Sequence, residues 1–144
     1  KSYNRSIVND NSIDKQVELK ELLQESDIVS LHCPLTNKTE GMIGKKELSL
    51  MKKTAILINT ARGNIVKSED LKEALETGVI LGAACDVFEE EPPLSPDYNL
   101  IHTKNIILTP HMAFASIESL EERAEIVFDN LFSWLDGKQK NKIL

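Results

Sequence analysis

Residues 55–87, AILINTARGNIVKSEDLKEALETGVILGAACDV, contain the stretch of sequence that decides the fold. Two apolar runs rich in β-branched residues, Ala55–Thr60 and Val79–Val87, predict buried strands. Between them, Ser68–Thr77 has the period of a helix, and Ser68 is its expected N-cap. Because neither strand alternates cleanly between polar and apolar residues, this strand–helix–strand order predicts a parallel sheet covered on both faces.

The same alternation continues on both sides of this stretch. Two more strands are predicted at Asp27–His32 and Asn105–Leu108, and further helices at Leu19–Gln24, Lys45–Met51 and Ser116–Asp136. Ser116 is the expected N-cap of the last helix, which Gly137 should end, as Gly78 ends the central one. The whole pattern predicts an α/β fold with a doubly wound, Rossmann-like parallel sheet.

The composition of the 144 residues is that of an ordinary globular domain, with 41% apolar and 28% charged residues. The net charge of −6 argues against a nucleic-acid partner. No apolar run approaches the roughly 20 residues that cross a membrane, so no membrane partner is expected. The two cysteines, Cys33 and Cys85, provide neither a disulfide framework nor the spacing of metal ligands. We therefore expect no bound metal and a cytoplasmic location.

Chemically active side chains follow each predicted strand, in LHCPLT (31–36), NTARGNIV (59–66), GAACDVFEEEPP (82–93) and TPHMAFAS (109–116). Taken alone, each has an ordinary interpretation. Arg62 suits a carboxylate partner but also a solvent-facing strand end, His32 and His111 suit structural roles, and the acidic run suits a solvated loop. Their succession is more informative, because open α/β sheets bind ligands beyond the carboxyl ends of their strands.

The segments LHCPLTNKT, NTARGNIV, GAACDVFEEEPP and TPH, in this order, resemble the D-isomer-specific 2-hydroxyacid dehydrogenases. This is the family of phosphoglycerate, glycerate, D-lactate and formate dehydrogenases. The resemblance covers essentially the whole chain. It implies an oxidoreductase that transfers a hydride between NAD(P)H and a small 2-keto or 2-hydroxy acid, and a homodimer in the full-length form.

The resemblance also implies three catalytic residues. Arg62 matches the clamp for the substrate carboxylate. His111 matches the general acid/base, and Glu91, the acid directly before the first proline, matches the partner that orients and charges it. The chemistry needs these groups, since an imidazolium protonates the substrate carbonyl oxygen, a neighbouring carboxylate favours that charged form, and an Arg holds and polarises the keto acid.

A cofactor site for NAD or NADP follows from the same resemblance. Asp86 matches the acid that hydrogen-bonds the nicotinamide carboxamide, Thr60 and Ala61 line the nicotinamide ribose, and Cys33 and Pro34 form the adenine-side wall. The full set of residues expected to contact the cofactor is Asn4, Arg5, Cys33, Pro34, Thr39, Thr60, Ala61, Arg62, Asp86, His111 and Ala113.

Two of the chain's departures from the family pattern bear on its extent and its cofactor. It has no Gly-x-Gly-x-x-Gly loop, because Gly41 and Gly44 lie too far along the chain, and family members are roughly twice as long. We therefore expect a Rossmann domain over residues 1–115 that is incomplete at its N-terminal side, a C-terminal helix and tail over residues 116–144, and no activity for these residues alone. The second departure is Asn4, which stands where NAD-using members often have Asp, so NADP is as well supported as NAD.

Two rival interpretations stay open. One is a nucleotide-sensing, corepressor-like binding protein of the same fold, which turnover of glyoxylate, hydroxypyruvate or pyruvate by the full-length protein would exclude. The other is a domain of a different Rossmann dehydrogenase, in which the order Arg62, Glu91, His111 should not recur. His32 is expected to lie outside the cluster that these three residues form.

Overall fold

The structure, a computed structural model, describes residues 1–4, 15–91 and 93–142. Two compact units divide the chain, Lys1–His111 and Met112–Leu144. The elements of the first unit are α1 (Leu19–Glu25), β1 (Ile28–Leu31), α2 (Lys45–Leu48), β2 (Ile56–Asn59), a 3-10 turn (Gly63–Ile65), α3 (Ser68–Glu76), β3 (Gly82–Cys85) and β4 (Ile106–Leu108). The second unit contains α4 (Ile117–Leu135).

The four strands form one parallel sheet in the order β1-β2-β3-β4. All four predicted strands and the Rossmann-like α/β fold are confirmed. Asn59 at the end of β2 pairs with Leu31 of β1 on one side and with Cys85 of β3 on the other. Since neighbouring strands run in the same direction and end in register, the residues that follow them meet at one edge of the sheet.

One core cluster lies on one face of the sheet. Val29, Leu31, Leu57, Ala83 and Cys85 point into it from alternate strand positions, as the period of two requires. Three helices contribute Leu23, Leu48, Leu71, Ala74 and Leu75 to the same cluster. In the described residues the other face of the sheet is less covered, because Ile28 on β1 is 61% exposed. Burial among apolar residues raises the pKa of the Cys85 thiol to about 12, so it stays protonated.

The predicted strand Val79–Val87 is too long at both ends, since β3 spans only Gly82–Cys85. At the N-terminal side the reason is the way in which α3 ends. Gly78 adopts a left-handed backbone, with φ of 69°, and the Val79 amide donates to the Ala74 carbonyl over 2.8 Å. Val79 therefore closes the helix and cannot take part in the strand. The predicted helix Lys45–Met51 also ends early, because the Met51 amide turns back to the Leu48 carbonyl over 3.1 Å.

The start of α3 corrects another prediction. Ser68 is the first helical residue and not the N-cap, which is Lys67 and makes no side-chain capping bond. The Ser68 amide instead donates to Glu89 Oε1 over 3.3 Å and its hydroxyl to Glu89 Oε2 over 2.7 Å. A carboxylate from a distant loop thus takes the place of the cap, which suits the positive end of the helix dipole.

The second unit begins its helix as predicted. The Ser116 hydroxyl accepts from the Ser119 amide over 3.1 Å, and Gly137, with φ of 73°, follows the end of α4. The guanidinium of Arg123 lies 4.6 Å from the centre of the Phe114 ring. Among the described residues, no helix combines the length and the apolar character that a membrane span requires.

Gly63 allows two loops of the first unit to touch through their backbones. A Cβ atom at this position would overlap the carbonyl group of Phe88 and would lie 2.5 Å from the amide nitrogen of Glu89. Backbone atoms cannot move away as a flexible side chain can. The contact therefore places the loop after β3 directly against the loop after β2.

We predict that Gly63→Ala lowers the free energy of unfolding by about 2–3 kcal/mol, because the added methyl group forces these loops apart. Gly44→Ala is the matched control, since its Cβ would lie 3.1 Å from the movable carboxylate of Asp70. Gly44→Ala should lower the free energy of unfolding by about 1 kcal/mol or less. Urea unfolding of the two variants measures both values, and equal losses would contradict the backbone contact.

Candidate functional site

Asn59 organises the loop that carries Arg62. Its side chain is 1% exposed, Nδ2 donates to the Arg62 carbonyl over 3.0 Å, and Oδ1 accepts from the Ala61 amide over 3.1 Å. The Asn59 carbonyl in turn accepts from the amide of Asp86, over 3.0 Å. A single buried amide therefore shapes the loop after β2 and joins it to the end of β3.

The Arg62 guanidinium points into solvent from this loop. Its Nη1 donates to the Ala61 carbonyl over 2.6 Å, and the residue is exposed. Thr60 beside it is also exposed, and Ala61 is half-buried. Arg62 makes no hydrogen bond to Glu91 or His111 within the described residues, so the convergence of all three side chains stays a prediction.

The structure does bring Glu91 and His111 together. The Nδ1 atom of His111 lies 3.0 Å from Glu91 Oε2. Since a carboxylate only accepts, we assign the proton of this bond to Nδ1, which directs Nε2 away from the carboxylate. The side chains are 33% and 78% exposed, so the pair contributes little to stability, while the bond fixes the orientation of the imidazole ring.

The backbone of His111 has an uncommon conformation, a left-handed φ of 54°. It follows from the path of the chain after β4. The Thr109 amide donates to the Cys85 carbonyl over 3.1 Å, and the His111 amide then turns back to the Thr109 carbonyl over 3.0 Å. Such conformations cost energy in residues other than glycine and are frequent at functional sites.

Asp86 lies at the end of β3, where its side chain is almost fully buried, with 3% exposure of the residue. The Thr109 hydroxyl donates to Asp86 Oδ1. The loop after β4 is therefore fixed to the end of β3 by both a backbone and a side-chain bond. A buried carboxylate needs such donors, because its desolvation is costly.

The remaining predicted cofactor residues are placed as follows. Cys33 is half-buried against the core and Pro34 is exposed, and the Pro34 carbonyl accepts from Thr39 Oγ1 over 2.7 Å. Asn4 is exposed, and its carbonyl accepts from Gln16 over 3.2 Å. Arg5 lies outside the described residues. Ala113 is exposed in the second unit.

His32 is engaged elsewhere, since its Nε2 lies 2.8 Å from the Ser30 hydroxyl on the strand that it follows. The structural roles of Asn59, Thr109 and Glu89 were not predicted from the sequence. For Asn59 the sequence offers one indication, a polar residue at the end of an apolar strand. For Thr109 the indication is a hydroxyl group next to a proline. No local pattern distinguishes Glu89 from the two acids that follow it.

Within the described ranges, no three His, Cys, Asp or Glu side chains are grouped so that they could hold a metal ion. The geometry at the sheet edge instead has a buried carboxylate, an exposed guanidinium and an oriented imidazole, each after a different parallel strand. Together with the topology, this defines the class of α/β domains that bind nucleotides beyond the carboxyl ends of their strands.

Comparison with known proteins assigns the family. Residues 1–113 match the family described as D-isomer specific 2-hydroxyacid dehydrogenase, NAD binding domain. The chain belongs to this family. The glyoxylate reductase of Aeropyrum pernix is 51% identical over 120 residues, which are 83% of this chain and 36% of that protein. The chain thus spans little more than a third of the length of this relative.

Two solved structures are similar over nearly the whole chain. The NAD-complexed D-isomer specific 2-hydroxyacid dehydrogenase of Lactobacillus delbrueckii ssp. bulgaricus is 31% identical, with a TM-score of 0.82, and the match covers 99% of this chain and 47% of that one. An acyclic imino acid reductase in complex with NADPH and D-Arg is 38% identical, with a TM-score of 0.85, and the match covers 99% and 45%.

We predict that Thr109→Val lowers the free energy of unfolding by about 2 kcal/mol, because Asp86 loses a donor to a buried carboxylate. Thr103→Val is the matched control: Thr103 is 8% exposed and donates to the neutral carbonyl of Asn99 over 2.8 Å. Thr103→Val should lower the free energy of unfolding by about 1 kcal/mol. Thermal and urea unfolding compare the two, and a smaller loss for Thr109→Val would contradict the importance of the Asp86 contact.

Proposed function

We propose that this chain forms the nucleotide-binding part of an NAD(P)-dependent dehydrogenase that interconverts a small 2-keto acid and the D-2-hydroxy acid. The observation that carries the proposal is the 3.0 Å contact between His111 Nδ1 and Glu91 Oε2. A histidine with a carboxylate on Nδ1 presents Nε2 for proton transfer, which is the geometry of a general acid/base. Membership of the family supports the same chemistry.

In reduction, His111 Nε2 would donate its proton to the carbonyl oxygen of the substrate, and in oxidation the neutral ring would take the proton back from the hydroxyl group. Glu91 would accept the hydrogen bond from Nδ1 and so keep Nε2 directed at the substrate. A bound nicotinamide cofactor supplies the hydride that reaches the carbonyl carbon. In this proposal His111 and Glu91 take part only in the proton transfer.

Arg62 would bind the carboxylate of the substrate. Its planar guanidinium offers two parallel N–H donors, which match the two oxygens of a carboxylate. The charge also polarises the adjacent keto group. The exposed position of Arg62 on the loop after β2 supports this role, because the guanidinium can reach a ligand at the sheet edge.

The residues present fit a dinucleotide at the same edge. Thr60 and Ala61 are small and at least partly exposed, and Cys33, Pro34 and Thr39 form a compact loop after β1. Asp86 supplies a carboxylate at the end of β3. We infer NAD or NADP as the cofactor, since one similar structure contains NAD and another contains NADPH. The cofactor contacts of Asn4, Arg5 and Ala113 stay predictions.

Glyoxylate and related short 2-keto acids are the first substrates to test, because the relatives include glyoxylate reductases. The assay follows oxidation of NADH or NADPH by a chain of the relatives' length that contains these residues. Turnover would exclude a corepressor-like binding protein. The division at residues 115 and 116, the homodimer and the cytoplasmic location stay predictions.

In such a protein, we predict that His111→Ala lowers kcat by about 10²–10⁴-fold with little change in KM, because the proton donor is lost and the substrate anchor is kept. His102→Ala is the control, since the ring of His102 contacts the Pro96 carbonyl over 3.0 Å, in another loop. Steady-state kinetics with glyoxylate measure both. Equal kcat values for His111→Ala and His102→Ala would disprove the general-acid role.

We predict that Arg62→Ala raises KM and lowers kcat together, because one side chain both anchors and polarises the substrate. Arg62→Lys keeps the charge and loses the planar fork, so it should recover part of kcat while KM stays raised. The same kinetic assay separates the two effects. An unchanged KM in both variants would show that another cation holds the carboxylate.

A further inference from the structure

The Glu91 carboxylate reaches His111 from a loop that has little support of its own. Glu91 is 78% exposed, and it lies five residues beyond Asp86 at the end of β3. Some other part of the loop must hold its backbone in place, because an exposed side chain loses conformational entropy when it is confined to one geometry. Two contacts near Phe88 begin to supply that support. Its carbonyl lies against Gly63, and its ring meets that of Tyr98 edge-on at 5.8 Å.

The strongest anchor of the loop is Glu89, two residues before Glu91. Both of its carboxylate oxygens accept from Ser68, one from the amide over 3.3 Å and the other from the hydroxyl over 2.7 Å. Ser68 is 6% exposed, and its hydroxyl also accepts from Asn99 Nδ2 over 3.0 Å. The anchor is therefore a charged group bound to the N-terminal turn of α3, where the helix dipole adds to the attraction.

The charge of Glu89 also affects the pKa of the neighbouring Tyr98. Burial raises the pKa of its hydroxyl, and the negative charge of Glu89 raises that pKa further. Tyr98, whose ring meets that of Phe88, therefore lies beside the bond between Glu89 and Ser68.

We propose that Glu89 is a positioning residue for the acid/base pair: by binding Ser68 at the start of α3, it holds the loop in the conformation in which Glu91 meets His111. The inference rests on the proposed function, which makes that pair the proton donor. Glu89 acts through Glu91 and does not contact His111. The rigid element that orients the imidazole is then helix α3.

Glu90 provides a matched control. It lies between the two functional acids, is exposed, and makes no hydrogen bond within the described part of the chain. Removing its carboxylate changes the net charge of the loop as much as removing that of Glu89. Comparing Glu89→Ala with Glu90→Ala therefore separates an effect of position from an effect of charge.

The test measures which nitrogen of the neutral His111 ring carries the proton, by long-range ¹H–¹⁵N NMR of the 144-residue chain. The spectra are recorded at a pH above which the ring ¹⁵N shifts of His111 no longer change, so that only the two neutral tautomers are compared. His102 is an internal reference for the Nε2–H form, because its Nε2 contacts a carbonyl, which can only accept. Neither substrate nor cofactor is needed.

In the unmodified chain we expect His111 to be mainly Nδ1–H. Glu91→Ala and Glu89→Ala should both lower the ratio of Nδ1–H to Nε2–H, by about tenfold, the scale of one lost hydrogen bond. Glu90→Ala should leave the ratio unchanged. A merely structural role for Glu89 would lower the melting temperature without changing this ratio.

If Glu89→Ala does not fold, Ser68→Ala removes the hydroxyl partner of the same bond and should lower the ratio in the same direction. The proposal is overturned if Glu91→Ala changes the tautomer ratio while Glu89→Ala and Ser68→Ala leave it at the value of the unmodified chain. It is also overturned if Glu90→Ala lowers the ratio as much as Glu89→Ala. Failure of the proposed function would appear separately, as an absence of turnover with intact tautomer shifts.

Discussion

Backbone contact between Gly63 and Phe88 is the constraint on which the candidate site depends. It presses the loop after β3 against the loop after β2, with no room for a side chain between them. Arg62 precedes the glycine by one residue, and Glu91 follows Phe88 by three. One close approach of two main chains therefore sets the position of two of the three groups to which we assign the chemistry, and the parallel register of the sheet places His111 at the same edge.

Around this contact, polar groups are used to fix loops. Asn59 and Thr109 are uncharged side chains that join neighbouring strand ends, and Glu89 is a charged one that joins a loop to a helix. Each satisfies backbone or carboxylate groups that burial would otherwise leave without partners. The groups assigned to chemistry, in contrast, are at least partly exposed. The candidate site thus has a frame of polar contacts around side chains that face solvent.

Much of the fold could be predicted from the sequence, because strand and helix periods are local. The four strands, their parallel arrangement and the ends of α3 and α4 at Gly78 and Gly137 required only the apolar pattern and the conformational freedom of glycine. The strand boundary at Val79 and the cap of α3 could not be predicted in this way. The first depends on the turn that closes the helix, and the second on a carboxylate 21 residues further along the chain.

The sequence by itself determined the fold class, because the apolar pattern of alternating strands and helices is written in the chain. The candidate catalytic residues came from the family resemblance that the ordered motifs carry. Their catalytic and cofactor-binding roles stay predictions. Only the tertiary structure decided that Glu89 binds the start of α3 while its neighbour Glu90 does not. The physical reason is that neighbouring carboxylates are chemically alike, so their partners depend on the path of the backbone, and contacts distant in sequence set that path.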